Sequence, residues 1–340
     1  MSMEKAALCG LTVEEIYDLI RPSGFTIAHA TLISNSIYKK SFSDIQLIQN
    51  ISNKLKADLH EKSVCGIFSP ERSEISGDHS VKYLFRSDDG KEYETVYIPE
   101  NKRHTVCVST QSGCRMGCSF CATARYGYRG NLTAAEIVNQ IISLPVAAKI
   151  THVVFMGMGE PMDNLENVIK ACTIITAEYG LAISSRNVTV SSVGILPAIK
   201  EYLGRSNCNL TLSLLSPFSE ERKEFIPSEK AYPILKTIEW VKNIPLKKKR
   251  TLSVAYIMIG GFNDTDRHLE ELRIILKDSP FRVNLLPFHN IPGDTRQSSK
   301  YERMVYFKHN LVISGISASI RKSRGLDISA ACGLLASGLI

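Results

Sequence analysis

Three cysteines on one short loop, Cys114, Cys118 and Cys121 in the spacing C-x-x-x-C-x-x-C, are the residues of this chain best suited to metal chemistry. Each thiolate can bind one iron of a 4Fe-4S cubane, and Gly113 and Gly117 let the backbone wrap closely around it. The fourth iron is then left without a cysteine. That open position is one that the amino and carboxylate groups of S-adenosylmethionine (SAM) can chelate, bringing the sulfonium within electron-transfer reach, and reductive cleavage then yields a 5'-deoxyadenosyl radical. Zinc is the competing occupant, because Cys-x-x-Cys is also zinc-ligand spacing. A structural zinc site normally brings a second ligand pair at comparable spacing, and the sequence has none. Phe120, between the last two cysteines, reads either as a shield for the cluster or as ordinary core.

The run Gly157-Met158-Gly159-Glu160-Pro161 follows the cysteine loop by one βα unit. Its glycines permit close approach of a ligand, and the Glu160 carboxylate can accept from an ammonium, which suits the methionyl amine of SAM. Alone the motif is weak; after a cysteine loop it gains weight.

The elements that must position these residues are legible from hydrophobic period. Short apolar strands at 105–110, 152–156, 187–191, 209–214, 252–258 and 282–287 alternate with helical segments, implying six βα units. Thr133-x-x-Glu136 and Asp163-x-x-Glu166 read as capping boxes at two helix starts. The fold class expected is α/β, a partial (β/α)6 barrel with function gathered at the strand carboxyl ends. Residues 1–80 read as a small helical domain, with Leu11, Ile16, Leu19 and Ile20 on one face and a second apolar-periodic stretch over 45–59. Residues 81–100 read as a β-hairpin extension turning at Asp88-Asp89-Gly90, and residues 101–340 as the barrel with a carboxyl-terminal cysteine loop.

In 340 residues, 44% hydrophobic and 22% charged side chains describe a globular chain rather than a disordered or membrane one. No apolar run approaches the roughly 18–20 residues of a membrane span, and the start MSMEKAALCGLTVEEI has no secretory pattern, so a cytoplasmic location is expected, with most of the nine cysteines as thiols or ligands. The excess of 41 Lys+Arg over 34 Asp+Glu leans toward polyanions. It concentrates in Lys247-Lys248-Lys249-Arg250 and in Arg321, Lys322 and Arg324, runs whose simplest reading is a solvated surface.

Five motifs together carry a more specific likeness: ETVYIPE (94–100), CVSTQSGCRMGCSFCAT (107–123), MGMGEP (156–161), GGFND (260–264) and DISAACGLLA (327–336). From about residue 80 to 338 the chain resembles the Cfr/RlmN family of radical-SAM RNA methyltransferases, which methylate carbon 2 or carbon 8 of an adenine. The resemblance implies that Cys332 first receives a methyl group from one SAM, and that a radical made from a second SAM converts this S-methylcysteine into a carbon radical that adds to the base. Cys107 matches the cysteine that then resolves the protein–RNA link through a disulfide, and Glu94 the carboxylate base that removes the ring proton. SAM contacts carried over by position are Gly159, Glu160, Ser191, Ser213, Leu214, Leu215 and Asn263. Cys9, Cys65, Cys172 and Cys208 match nothing and are expected to be structural.

The likeness is incomplete. Where the family has S-L-H, this chain has Ser213-Leu214-Leu215; where it has P-I-N, this chain has Pro227-Ser228-Glu229. The amino-terminal cap keeps Tyr38, Lys39 and Lys40 and loses other basic side chains. The expectation is a monomeric cytosolic enzyme that methylates an adenosine of 23S rRNA, at carbon 2 before carbon 8, using a 4Fe-4S cluster, SAM and a flavodoxin-type electron donor. The same chemistry on tRNA or a non-ribosomal acceptor, and a non-catalytic RNA-binding protein holding zinc, are the alternatives.

Overall fold

The computed structural model describes residues 5–245 and 250–336. A parallel pair, β1 (Ala6–Ala7) and β2 (Ser63–Val64), closes a helical cap of α1 (Val13–Ile20), α2 (Ile27–Tyr38) and α3 (Asn53–Lys62). Thr12 and Glu15 cap α1 reciprocally, and Ile16 and Ile20 of its expected apolar face are buried. The second apolar stretch divides: Ile45–Leu47 makes one 3-10 turn, and α3 starts only where Ser52 accepts from the Leu55 backbone N–H.

Next come three antiparallel strands, β3 (Arg72–Ile75), β4 (Val81–Arg86) and β5 (Glu92–Glu100), with the β4–β5 turn at the expected Asp-Asp-Gly. β5 pairs antiparallel with β6 (Arg103–Cys107), so the hairpin extends the main sheet rather than standing apart from it. A two-residue ribbon, β7 (Gln111–Ser112) and β8 (Gly130–Asn131), brackets the cysteine loop and α4 (Ala122–Tyr126).

The expected βα alternation then follows: α5 (Ala134–Ile142), β9 (His152–Phe155), α6 (Leu165–Thr176), β10 (Val188–Ser192), α7 (Leu196–Arg205) and β11 (Asn209–Ser213). After α8 (Ser219–Phe225) and α9 (Ile234–Lys242) come β12 (Leu252–Met258), α10 (Asp266–Leu276), β13 (Phe281–Pro287), α11 (Tyr301–Ile313) and β14 (Ala318–Ile320). The strand order is β14-β13-β12-β11-β10-β9-β6-β5-β4-β3, an open sheet whose two edges do not meet. β6 and β9 through β14 are mutually parallel, one strand beyond the expected six. The extra strand is three residues at a sheet edge, too short to show a period of two.

Along these strands the outward residues, among them Val106, Val153, Val190, Leu212, Val254 and Leu285, are fully buried beneath the helices. The alternate residues are different. Thr105, Cys107, Thr189, Thr211, Ser253 and Asn284 turn inward and line a cavity of about 610 Å³. Fully buried parallel strands would be apolar on both faces; the polar inner row leaves a lumen instead of a packed core.

One capping box forms as expected at Thr133 and Glu136. The other does not. Pro161 opens a 3-10 turn over Pro161–Asn164, α6 begins after Asn164, and the Asp163 carboxylate accepts from Gln111 and Arg115, both at 2.7 Å. A stronger tertiary partner takes the carboxylate that local spacing had assigned to a helix end.

Candidate active site

The cysteine loop is held from several sides. Gly113, at φ +75°, lies so near Gly127 that a Cβ would sit 1.5 Å from its carbonyl oxygen, so only glycine closes this excursion. The Ser119 N–H donates to the Phe225 carbonyl (2.9 Å), the Ala122 N–H to Gly333 (2.7 Å) and the Thr123 hydroxyl to Leu335 (2.6 Å). Arg115 reaches Asp163. Cys118 and Phe120 pack against an apolar group of Leu215, Phe225, Ile226, Ile259 and Phe288.

Burial lifts the Cys114 thiol to about 12, with the charges of Glu160 and Cys121 adding to it. Burial and then Cys121 and Cys114 also raise Cys118 well above the ordinary thiol value. Thiols so placed are poor thiolates alone and good ones beside a cation, which inverts the local electrostatics. Among the described residues no three His, Cys, Asp or Glu side chains converge on a single ion. A cubane asks something else, one separate iron per cysteine, and three soft donors around a half-exposed loop fit that group.

Glu160 lies at the exit of β9, buried, with one carboxylate oxygen accepting from the Val193 N–H (2.9 Å) and the other from Met162 (3.0 Å). Burial raises its pKa to about 7 despite those bonds. A buried carboxylate short of positive charge fits the ammonium of SAM. The preceding Gly159, at φ +98°, packs so tightly on Gln111 that a Cβ would meet it at 2.6 Å.

The other expected SAM contacts fall into two groups. Ser191 and Ser213 continue the inward rows of β10 and β11 above Thr189 and Thr211. Leu214, Leu215 and Asn263 are buried in the rim. Leu215 sits at φ +58°, and its carbonyl accepts from the Asn263 side chain at 2.7 Å. That amide also donates to Ile257 and accepts from the Ile259 N–H, both at 2.7 Å. The Leu215 side chain joins the apolar group beside Cys118, while its backbone makes the polar contact.

Cys107 and Cys332, distant in sequence, both line the lumen, Cys107 nearly closed off and Cys332 exposed to it. Enclosure raises both thiols, and the Cys332 charge further raises Cys107. Glu94 is on the same face of β5 as Val96, the register partner of Cys107, but above the cavity lining. Its carboxylate accepts from the Ala336 N–H (2.9 Å) and lies 3.7 Å from Lys82.

Two features had no local sequence signal. Arg222, fully buried, donates to the carbonyls of Val193 (2.7 Å), Ser213 (2.8 Å) and Leu214 (3.0 Å) and pairs with buried Glu229. One guanidinium thus ties the exits of β10 and β11, and Glu229, noticed only as a departure from P-I-N, is its counter-ion. The second is a latch on the Cys332 loop. Asp327 accepts from the Ser76 hydroxyl (2.6 Å) and the Gly77 N–H (2.9 Å), and Asp78 from the Gly325 N–H (3.0 Å).

Of the two basic runs, Arg321 and Lys322 are exposed, as a solvated surface requires, while Arg250 is half-buried. Lys247, Lys248 and Lys249 lie outside the described residues, while Arg250 donates inward to the carbonyls of Leu203 and Ser206. Arg321, Lys322 and Arg324 line the lumen.

Residues 108–273 match the model of the Radical SAM superfamily. Over 98% of its length the chain is 41% identical to a probable dual-specificity RNA methyltransferase RlmN of Bacteroides thetaiotaomicron, of which 96% is covered. It is 39% identical to the dual-specificity RNA methyltransferase RlmN of Pelobacter propionicus, over 98% of this chain and 96% of the relative. The crystal structure of a radical SAM methyltransferase from Sphaerobacter thermophilus superposes with a TM-score of 0.90 at 34% identity, covering 98% of this chain and 99% of that one.

Proposed function

We propose, from the premise that this chain belongs to the RlmN family of radical SAM RNA methyltransferases, that it methylates an adenosine of 23S rRNA through a methyl group carried on Cys332. Carbon 2 of the ring is the acceptor in preference to carbon 8. Family membership implies SAM and an iron–sulfur cluster; the non-catalytic zinc reading is set aside with it. Cys114, Cys118 and Cys121 would hold a 4Fe-4S cluster, and Glu160 with the rim around Gly159, Ser191, Ser213, Leu214, Leu215 and Asn263 would hold SAM. Bound there, these groups supply the methyl group and a 5'-deoxyadenosyl radical.

The chain's own residues do the rest. Cys332 Sγ carries the methyl group on the wall of the lumen. Carbon 2 is too electron-poor to attack a sulfonium, whereas a nucleophilic carbon radical on the Cys332 methyl can add to it. The adduct must give up one electron, which a bound cluster would take back, and Glu94 takes the ring proton. The Cys107 thiolate then attacks the Cys332 sulfur and breaks its bond to the methylene carbon, which takes up a proton to become the new methyl group, freeing the RNA and leaving a disulfide that an external thiol reduces. A flavodoxin-type donor supplies electrons to a monomeric, cytoplasmic enzyme; among the described residues no helix is long and apolar enough to cross a membrane.

The observation that carries this reading is the meeting of Cys107 and Cys332 on one cavity beside the cysteine loop. The designation of the relatives as dual-specificity supports a second RNA acceptor, for which tRNA is the first choice. Mass mapping of rRNA and tRNA from a deletion strain tests both. Loss of one methyladenosine from 23S rRNA is expected; rRNA adenosines identical to wild type would remove the rRNA assignment.

A further inference from the structure

The lumen has two ends of unlike character. Its upper end reaches Cys107, Met156, His289 and Cys332. Above that, the rim is filled by the cysteine loop, the Glu160 turn and the Leu215–Asn263 clamp, none of which lines the cavity. The lower end is bounded by the first residues of the parallel strands. Arg103 begins β6, Arg186 stands two residues before β10 and Arg282 is the second residue of β13. At the open edge of the sheet Arg321 follows β14 at the level of Leu285, and its guanidinium turns back to Asn284 and into the field of Arg103, while Lys322 lies higher on the wall.

These cations are unusually free. Among the described residues Glu100 is the one carboxylate on the cavity wall; it is engaged by Arg324 at 3.5 Å and lies in the field of Arg321. Arg103 and Arg321 bond only neutral partners, the Thr105 hydroxyl (3.2 Å) and the Asn284 amide oxygen (3.1 Å). Arg186, Arg282 and Lys322 have no acidic partner among the described residues. Charges of one sign in a low-dielectric cleft repel one another and focus a strong positive potential. Burial and the Arg103 charge both disfavour the charged form of Arg321. A protein that keeps such cations unpaired stabilises them by binding an anion.

Between the arginines and the cysteines the wall is polar. Thr189, Thr211, Ser253, Asn209 and Asn284 present hydroxyls and amides where a filled barrel would carry Val, Ile or Leu. At about 610 Å³ the lumen has the size of sites that enclose small molecules, typically about 300–1,000 Å³. One nucleotide fits such a space, and its phosphates would remain among the arginines.

We propose that RNA docks on the amino ends of the strands, its phosphates on Arg103, Arg186, Arg282 and Arg321, with the target nucleotide inserted through the polar lumen toward Cys332. The substrate then approaches from the end opposite the cysteine loop, so cofactor and RNA do not compete for one mouth. This docking rests on the RNA methyltransferase reading above. It also requires the nucleotide to leave its stack, as enzymes acting on a base demand.

The test measures binding without turnover, using a fluorescein-labelled RNA stem-loop with an adenosine in its loop. The Arg186→Gln/Arg282→Gln protein should bind on the order of tenfold more weakly, and its slope of log K against log salt should fall by roughly 1.4, two contacts at about 0.7 each. Arg186→Lys/Arg282→Lys keeps the charge and should restore most of the slope, which separates docking from misfolding. Lys200→Gln/Lys236→Gln removes the same charge from the outer helices α7 and α9 and should leave the slope unchanged. Equal losses from the two Gln pairs, or none from the mouth pair, overturn the docking while leaving RNA methylation standing. Wild-type protein without affinity for the stem-loop would overturn docking and the RNA reading together.

Discussion

The two ends of the lumen in this open sheet solve opposite electrostatic problems. At the carboxyl ends the groups that brace the rim are paired within the chain: Arg222 with Glu229 and three carbonyls, Asp163 with Arg115, and Asn263 with three backbone groups. At the amino ends Arg103, Arg186 and Arg282 have no ion pair among the described residues. Paired groups fix loops to within a fraction of an ångström, which suits a cluster and a small cofactor that react only in one geometry. Unpaired cations impose little geometry and much attraction, which suits a polyanion whose position is settled elsewhere, by the base that enters the lumen. Rigidity and charge are thus assigned to different ends of one sheet.

If the carboxyl end is the reacting end, the largest effect belongs to its cysteines. Cys118→Ala should lose the cluster's iron and its visible absorbance together with all methyl transfer, and Cys332→Ala should keep the iron while the purified protein carries no methyl group by intact mass. Methylated protein from the Cys332→Ala variant would move the acceptor to another residue. If that end is also the rigid end, Arg222→Met should cost about 3–5 kcal/mol, because it strands Glu229 as a buried charge. Arg222→Met/Glu229→Leu should recover much of this in denaturant titrations. A loss under about 1 kcal/mol for the single variant would show that the clamp is not what orders the rim.

The two lumen thiols sharpen the comparison on a smaller scale. Both are raised above the ordinary cysteine value, so alkylation by iodoacetamide at pH 7 should be slow at each and should climb through pH 9. Cys332, open to the lumen, should react before Cys107; the reverse order by peptide mass mapping would mean that the Cys332 loop closes the cavity more tightly than its exposure indicates. The smallest effect is expected at Leu215. Leu215→Gly removes left-handed strain of about 1 kcal/mol but also burial worth about 1.5–3 kcal/mol, for a net loss near 1 kcal/mol by thermal melt. Its SAM affinity should hold, since the contact to Asn263 is through the Leu215 carbonyl.

Much of this was legible in the sequence, and what was hidden shares a cause. The cysteine spacing, the glycines that bend the loop, the Asp-Asp-Gly turn, the Thr133 box and the βα alternation all depend on neighbours within a few residues, where period and propensity operate. The likeness to a family added Glu94, Cys107 and Cys332, which no local pattern joins. Asp163 was misassigned because a helix cap is a local bond of modest worth, and Arg115 and Gln111 offered a better one from across the fold. The basic run after β14 read as surface, and Arg321 and Lys322 are exposed; that they also border the lumen was hidden because a sequence carries no record of which face of an edge strand turns inward.

By itself, then, the sequence determined the α/β class and the cysteine and glycine spacing of the loop, since these follow from residue types at short fixed spacings. Tertiary structure alone decided that the two distant cysteines share a cavity, that Arg222 and Glu229 meet in the core and that the unpaired arginines gather at one mouth. Those are facts about residues far apart in the chain, and only closing the intervening loops in one particular way brings them together.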